Sequence, residues 1–186
     1  VTWSYALAVI APVYAWLGGG FTSRKLLALT MALLWSLRLG TYLFFRVKKH
    51  HPHEDVRYEV LREKWKSSLA RSFFFFFQAQ AVLIVLLSVP VLLACVNPAA
   101  ELGIIEWTGF AVWLIGLSGE ALSDAQMKRF KADPASKGKV CQIGLWRYSR
   151  HPNYFFEWLI WVAWALYGAA SPGGRMGWLS PALMLY

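Results

Sequence analysis

The sequence predicts an all-α protein: a polytopic bundle of transmembrane helices, about six or more crossings, with an amphipathic segment on the cytoplasmic side. Three observations carry that expectation. The mean hydropathy is +0.42 and 58% of the 186 residues are hydrophobic, above the roughly 45–50% of ordinary soluble domains. The apolar residues come in long runs, not in the alternating or one-faced patterns of soluble strands and helices. The 19 Lys and Arg, which give a formal net charge of +9, are concentrated in two stretches.

A helix crossing about 30 Å of hydrocarbon needs roughly 20 apolar residues. Five runs approach that length: Val1–Leu17, Leu26–Val47, Phe73–Val96, Ile104–Leu122 and Tyr154–Ala170. Part of a sixth follows at Gly177–Tyr186. The first lacks the basic flank and small-residue cleavage site of a signal peptide, so it reads as a crossing. It starts without Met, and the last run stops short of a full span. The expectation is therefore a single membrane-embedded domain, 1–186, cut at both ends. Backbone groups in lipid must be satisfied within the segment, which makes each run a helix; a membrane barrel would need alternation over about ten residues, and none is present. Pro90 and Pro98 predict a kink and a stop near the end of the third run. The run of five Phe, Phe73–Phe77, reads as a packing or lipid-facing belt.

Eight Lys/Arg lie in 46–71 and seven in 128–150. By the positive-inside rule both segments, 47–72 and 123–152, are cytoplasmic, and the counting of crossings puts them on one side. Topology and attraction to anionic headgroups account for the basic excess, and no nucleic-acid partner is expected. Within the first segment, HEDVRYEVLREKWKSSLARS has charges at helical spacing and Trp65 at a headgroup-level position. It reads as a surface amphipathic helix, with a functional role for Glu54, Asp55 and Arg57 as the alternative. His50, His51 and His53 are read as a hydrated interfacial cluster rather than a metal site. Cys95 and Cys141 fall on opposite sides of the membrane, so no disulfide is expected.

Charged groups inside crossings are expensive, and each is a site candidate. Arg38 stands in LLWSLRLGTYLFF with no charge within seven positions. It requires a carboxylate on another helix or an anionic ligand. Tyr42 follows one turn later on the same face, either as a packing residue or as a proton donor. Glu120 and Asp124 are four apart at the end of the fourth run and share a helix face. With Lys128 and Lys131 they form either an exposed ion-pair ladder or a site, and the apolar setting of Glu120 weighs against the ladder. Asn153 and Glu157 repeat the spacing at the start of the fifth run, where Pro152 suits a first helical turn. Arg147, Arg150 and His151 just precede it, and a helix start flanked by Arg is a ready anion site. Either a phosphate-bearing nucleotide at the membrane surface or lipid headgroups fit this arrangement.

GLWRYSRHPNYFFEWLIW resembles the signature of the membrane superfamily that contains steroid 5-alpha-reductases, sterol reductases and isoprenylcysteine carboxyl methyltransferases. LWSLRLGTYLFFR, EDVRY..LR..W, FFFFFQAQA and GLSGEALSDAQMKRFKADP…KGKV also look like segments of a mostly bacterial domain-of-unknown-function family, number 1295, grouped with the 5-alpha-reductases. The resemblance covers most of the chain. It implies NADPH held between cytosolic loops and helix ends. Asp124, Asn153, Tyr154 and Glu157 match the cofactor pattern. Glu120 stands where an amide is usual, Lys131 where an Arg is, and Gly138 and Lys139 where Tyr-Arg is. With Arg38, Arg147, Tyr148, Arg150 and His151 these make up the expected cofactor site. The reductases use a Tyr and a Glu from earlier helices. Tyr42 is the best match for the Tyr; the Glu has no clean counterpart, and Glu157 stands with Tyr42 as the catalytic pair.

The function expected from the resemblance is NAD(P)H-dependent reduction of an activated carbon–carbon double bond in an apolar, steroid-like or isoprenoid substrate, in a bacterial inner membrane. Two alternatives stay open: an S-adenosylmethionine-dependent methyltransferase of the carboxyl methyltransferase type, and a non-catalytic membrane protein.

Overall fold

The computed structural model describes residues 2–50 and 56–185. All regular structure among them is helical, as the apolar runs predict. Helix α1 spans Thr2–Leu17, α2 Thr22–His50, α3 Val56–Lys64, α4 Leu69–Leu87, α5 Val89–Val96, α6 Ile104–Ala132, α7 Pro152–Ala169 and α8 Leu179–Leu183. The expected third crossing is split between α4 and α5 at Ser88, with Pro90 in the first turn of α5. Proline lacks an amide hydrogen and cannot continue the preceding ladder. Glu54, Asp55, His51 and His53 lie outside the described residues, as do the side chains of His50 and Arg57.

The expected start of a sixth crossing is corrected. Gly174–Trp178 is a 3-10 turn and α8 is five residues long. Both fold back on α7, the turn also meeting α5 and α8 meeting α4. The Trp158 indole donates to the Pro181 carbonyl (3.1 Å) and Ser180 donates to the Leu87 carbonyl (3.1 Å). Gly173, Gly174 and Gly177 with Pro172 and Pro181 explain why an apolar tail does not extend as one helix.

Among the described residues two helices are long and apolar enough to cross a membrane: Thr22–Lys49, and the α4–α5 run with its lead-in, Lys66–Val96; Trp3–Leu17 is apolar but shorter. By that measure six or more crossings are not reached among the described residues. Helix α6 is 29 residues long but carries Glu106, Glu120 and Asp124. Outward-facing Leu34, Phe45, Phe75, Val82 and Ile115 are all more than half exposed. Such apolar surface is unusual for a soluble monomer.

Helices α6 and α7 form the tightest pair. A Cβ at Gly109 would stand 2.7 Å from the Tyr167 amide nitrogen, and one at Gly116 would stand 2.7 Å from Ile160 Cγ1. Small residues at these positions let the backbones touch, which is how helices associate where lipid offers no hydrophobic drive. Helix α1 pairs with α2, and α5 wedges between the two hairpins. Trp35, Trp113, Trp161, Trp164 and Tyr167 fill the centre, all fully buried. Trp35 meets Trp161 edge to face at 5.2 Å and joins α2 to α7.

At the end of the bundle away from the basic segments, Arg24 and Glu106 form a buried ion pair. The Arg24 guanidinium also donates to the carbonyls of Asn97, Ala99 and Glu101. Glu106 accepts from the Gly103 amide (2.7 Å), capping α6. The α5–α6 loop is thereby wrapped around one side chain. Glu106 stands third in its apolar run; the rule that singles out Arg38 applies to it too, and the sequence reading overlooked it.

Removing one partner of a buried pair leaves an uncompensated charge. Glu106→Ala is expected to lower unfolding free energy by about 3–5 kcal/mol, and the double change Arg24→Met with Glu106→Leu to recover most of it. Denaturant unfolding in detergent measures both, and an unaltered midpoint in Glu106→Ala contradicts the clasp. Gly109→Leu is expected to abolish folding because the opposing atoms belong to the α7 backbone; yield and monodispersity report that.

Candidate functional site

Three helices bring charged groups together near the basic end of the bundle. From α2, Arg38 directs Nη1 to Glu120 Oε1 and Nη2 to Asp124 Oδ2, both at 2.6 Å. One guanidinium fork thus spans two carboxylates one helical turn apart on α6, a geometry that Arg provides and Lys does not. The Glu120 side chain is 5% exposed and that of Asp124 13%. The ladder with Lys128 and Lys131 is therefore overturned, because both carboxylates turn inward to α2.

Glu157 enters from α7. Its Oε2 accepts from the Trp35 indole and its Oε1 from the Trp161 indole, both at 3.2 Å. Its carboxyl is also within hydrogen-bond reach of Glu120. Ionised carboxylates only accept, so a bond between these two requires that one of them carry a proton. Without it, Glu120 Oε2 is buried with no donor. Two carboxylates thus meet one guanidinium, with a third carboxyl nearby. Tyr42, half-buried one turn beyond Arg38, lies in the field of Asp124, Arg46, Arg38 and Glu120. Asn153 is one turn before Glu157 on α7, and its buried Oδ1 has no partner.

The remaining expected contacts form an exposed rim. Lys131, Lys139, Arg147, Tyr148, Arg150, His151 and Tyr154 all reach solvent, Tyr148 at 85% exposure. The segment before α7 is nonetheless held in place. Trp146 donates to the Ser123 carbonyl, and Gln126 accepts from the Leu145 amide, both at 2.9 Å. Gly144 has a φ of 54°, a conformation other residues rarely adopt. The His151 ring stacks on Tyr154 at 5.2 Å. Lys131 and Lys139 line opposite sides of a cleft of about 440 Å³ between the end of α6 and the following loop, with Lys137 and Asp133. Asp124 and Lys131 are seven residues apart, so the rim stands about 10 Å along α6 from the inner cluster. The structure separates an inner acidic group from an outer basic one where the sequence suggested one continuous site.

Trp35 and Trp161 are the members of the inner cluster that the sequence reading missed. Trp35 is three residues before Arg38 and Trp161 four after Glu157, so each shares the face of a residue already singled out. Among the described residues no group of three or more His, Cys, Asp and Glu is arranged to hold a metal ion.

The fold and site define an α-helical bundle with membrane-length apolar helices and a buried ion-pair cluster at one end. The chain belongs to the family described as protein of unknown function (DUF1295), whose model matches residues 1–186. It is similar to an uncharacterized protein of Schizosaccharomyces pombe, 30% identical across 87% of this chain and 54% of that protein. It is also similar to a probable O-methyltransferase, ustE, of Ustilaginoidea virens, 34% identical over 76 residues, which cover 41% of this chain and 25% of that protein. The chain thus spans about half the length of the first relative and a quarter of the second. Both relatives are fungal, and they lend no support to the expected bacterial inner membrane. No solved structure matches.

Arg38→Met leaves Glu120 and Asp124 facing each other without their cation. Expected is a loss of about 2 kcal/mol, below the range for fully buried pairs because Arg38 keeps some exposure. Arg38→Lys is expected to restore only part of it, since one ammonium cannot span both carboxylates in the same geometry. Equal stability of the Lys variant and the parent in denaturant unfolding sinks the two-pronged reading.

Proposed function

We propose that this chain forms the membrane-embedded core of an NAD(P)H-dependent reductase acting on an activated carbon–carbon double bond in an apolar, steroid-like or isoprenoid lipid. The observation that carries the reading is the convergence of Arg38, Glu120, Asp124 and Glu157 from three helices, beneath an exposed basic rim. On this reading the full-length protein crosses the membrane six or more times, with 47–72 and 123–152 on the cytoplasmic side.

The residues fit the cofactor by donor and acceptor count. Asn153 Oδ1 and Glu120 Oε2 are both buried without a donor. Ribose hydroxyls and a carboxamide are donors that satisfy such atoms. The cleft bearing Lys131 and Lys139 supplies positive charge for phosphate. Lys gives less directional grip than Arg, so discrimination for the 2′-phosphate is expected to be modest. When bound, the cofactor supplies the hydride. The chain's own task is then to orient the substrate and deliver a proton. On this reading Tyr42, half-buried beside Arg38, donates from its Oη to a substrate carbonyl. The Glu120–Glu157 pair can hold a proton between its carboxyls, sheltered from water by Trp35 and Trp161. Exposed apolar faces on α2 and α6 suit a substrate arriving from lipid.

A second reading, methyl transfer from S-adenosylmethionine, is favoured by the name of the Ustilaginoidea relative. Carboxyls and an amide oxygen also fit an amino group and ribose. The two readings share binding groups and differ in the reactive end.

Full-length protein titrated with NADPH, NADH and S-adenosylmethionine while thermal stability is read separates them. A ligand of the native state adds about 2.7 kcal/mol at a hundredfold excess over its Kd. Stabilisation by a nicotinamide cofactor, lost in Asn153→Ala and Asp124→Asn, is the expected result. Stabilisation by S-adenosylmethionine alone replaces the reductase reading with the second, and indifference to all three favours a non-catalytic protein.

A further inference from the structure

The aromatic belt at the start of α4 has a feature that the reductase reading does not use. Residues 56–72 carry five Lys/Arg against two Glu. One of the Glu, Glu63, is already paired with Lys66. Arg62 lies over the Phe73 ring at 5.6 Å. Arg71 is exposed, and it makes no ion pair among the described residues. It stands at the mouth of an open groove of about 640 Å³ lined by Trp65, Arg71, Ser72, Phe75 and Phe76.

The lining is graded along the helix axis. Arg71 and Ser72 occupy the first turn of α4; Phe75 and Phe76 lie one turn deeper, about 6 Å further along. The wall is rigid, because Trp65 packs edge to face on Phe73 at 5.3 Å and against Phe76 at 5.8 Å. Below the groove the α4 surface stays bare and mainly apolar, with Phe75, Val82 and Leu86 exposed. This run, Lys66–Val96, is one of the two long and apolar enough to cross a membrane, which puts Trp65 and Arg71 at headgroup depth. The occupant of such a groove must carry an anion and a hydroxyl-accepting ester at one end and a hydrocarbon chain at the other. A free nucleotide matches only the first half.

The geometry points to a specific site for an anionic phospholipid of the surrounding leaflet, its phosphodiester on Arg71 and Ser72 and an acyl chain laid over Phe75 and Phe76. The exposed Arg71 guanidinium, with no ion-pair partner among the described residues, selects against zwitterionic lipid. One basic side chain near a membrane surface contributes about 1 kcal/mol, so a preference of about fivefold is expected from Arg71.

The test offers full-length protein in mild detergent equal amounts of phosphatidylglycerol and phosphatidylcholine with identical chains, and reads bound lipid by native mass spectrometry. Phosphatidylglycerol is expected to be the first lipid retained. Arg71→Gln should bring the two lipids level, Arg71→Lys should keep the preference, and Phe75→Ala with Phe76→Ala should weaken both. A Lys64→Gln, Lys66→Gln control should behave as the parent. The proposal is overturned if the parent holds both lipids equally, if Arg71→Gln keeps its preference, or if the Lys64/Lys66 control loses as much, which indicates diffuse charge. Displacement by soluble glycerol phosphate also overturns it, by showing a free phosphoester site. All variants except Phe76→Ala change exposed side chains, and size-exclusion profiles matching the parent establish that they fold.

Discussion

Two Arg–carboxylate pairs hold α2 against α6, and they repeat in register. Arg38 follows Arg24 by 14 residues, and Glu120 follows Glu106 by 14. Fourteen residues are almost four turns, about 21 Å of rise. The two helices therefore run in the same direction, with matched charges at both levels. A charge in an apolar bundle is tolerated only when paired and hydrogen-bonded, so a one-residue slip of α2 would strand two guanidiniums at once. The lower pair is closed: Arg24 is nearly inaccessible, and its nitrogens are used up on Glu106 and loop carbonyls. The upper pair is open in another sense. Its one guanidinium meets two carboxylates with a third carboxyl nearby, and polar atoms remain without donors.

Backbone distance explains why the open site lies where it does. Helices α6 and α7 touch through Gly109 and Gly116. Helix α2 reaches them instead through long side chains, Arg38 to α6 and Trp35 to α7. Close backbones leave no room between α6 and α7, whereas an arginine and an indole span the gap to α2. Trp35 and Trp161 pack edge to face between α2 and α7, and the segment 144–151 is tied to α6 by Trp146 and Leu145. The order of elements in the chain thus sets inward-turned carboxylates on α6 beneath an exposed basic edge.

What the sequence disclosed follows from the same physics. Long apolar runs located α1, α2, α6 and α7, because in lipid a helix is the only way to satisfy the backbone. Four-residue spacing placed Glu120 with Asp124, and Asn153 with Glu157, since that spacing is local to one helix. The isolated Arg38 announced a partner on another helix. The identity of that partner was not legible, because pairing between α2 and α6 depends on tertiary register. For the same reason Trp35 and Trp161 were not singled out, and Glu106 was overlooked. The tail at Gly177–Tyr186 misled because composition alone favoured a crossing, while five glycines and prolines between Pro172 and Pro181 govern its actual path.

The segregation of charge constrains any guest more tightly than the count of contacts does. Outside, Lys131, Lys137 and Lys139 gather around one cleft; inside, about 10 Å along α6, carboxyls and an unpartnered amide oxygen ask for donors. A purely anionic molecule suits the rim and is repelled by the interior. A neutral lipid gains nothing from the rim. A guest that satisfies both must be phosphorylated at one end and rich in hydroxyl, amide or amino donors at the other. Dinucleotides have that polarity along their length. S-adenosylmethionine has the donors and lacks the phosphate, so it leaves the rim unused. That difference, resting on where the lysines and carboxyls sit rather than on the name of a relative, is the physical ground for ranking reduction ahead of methyl transfer.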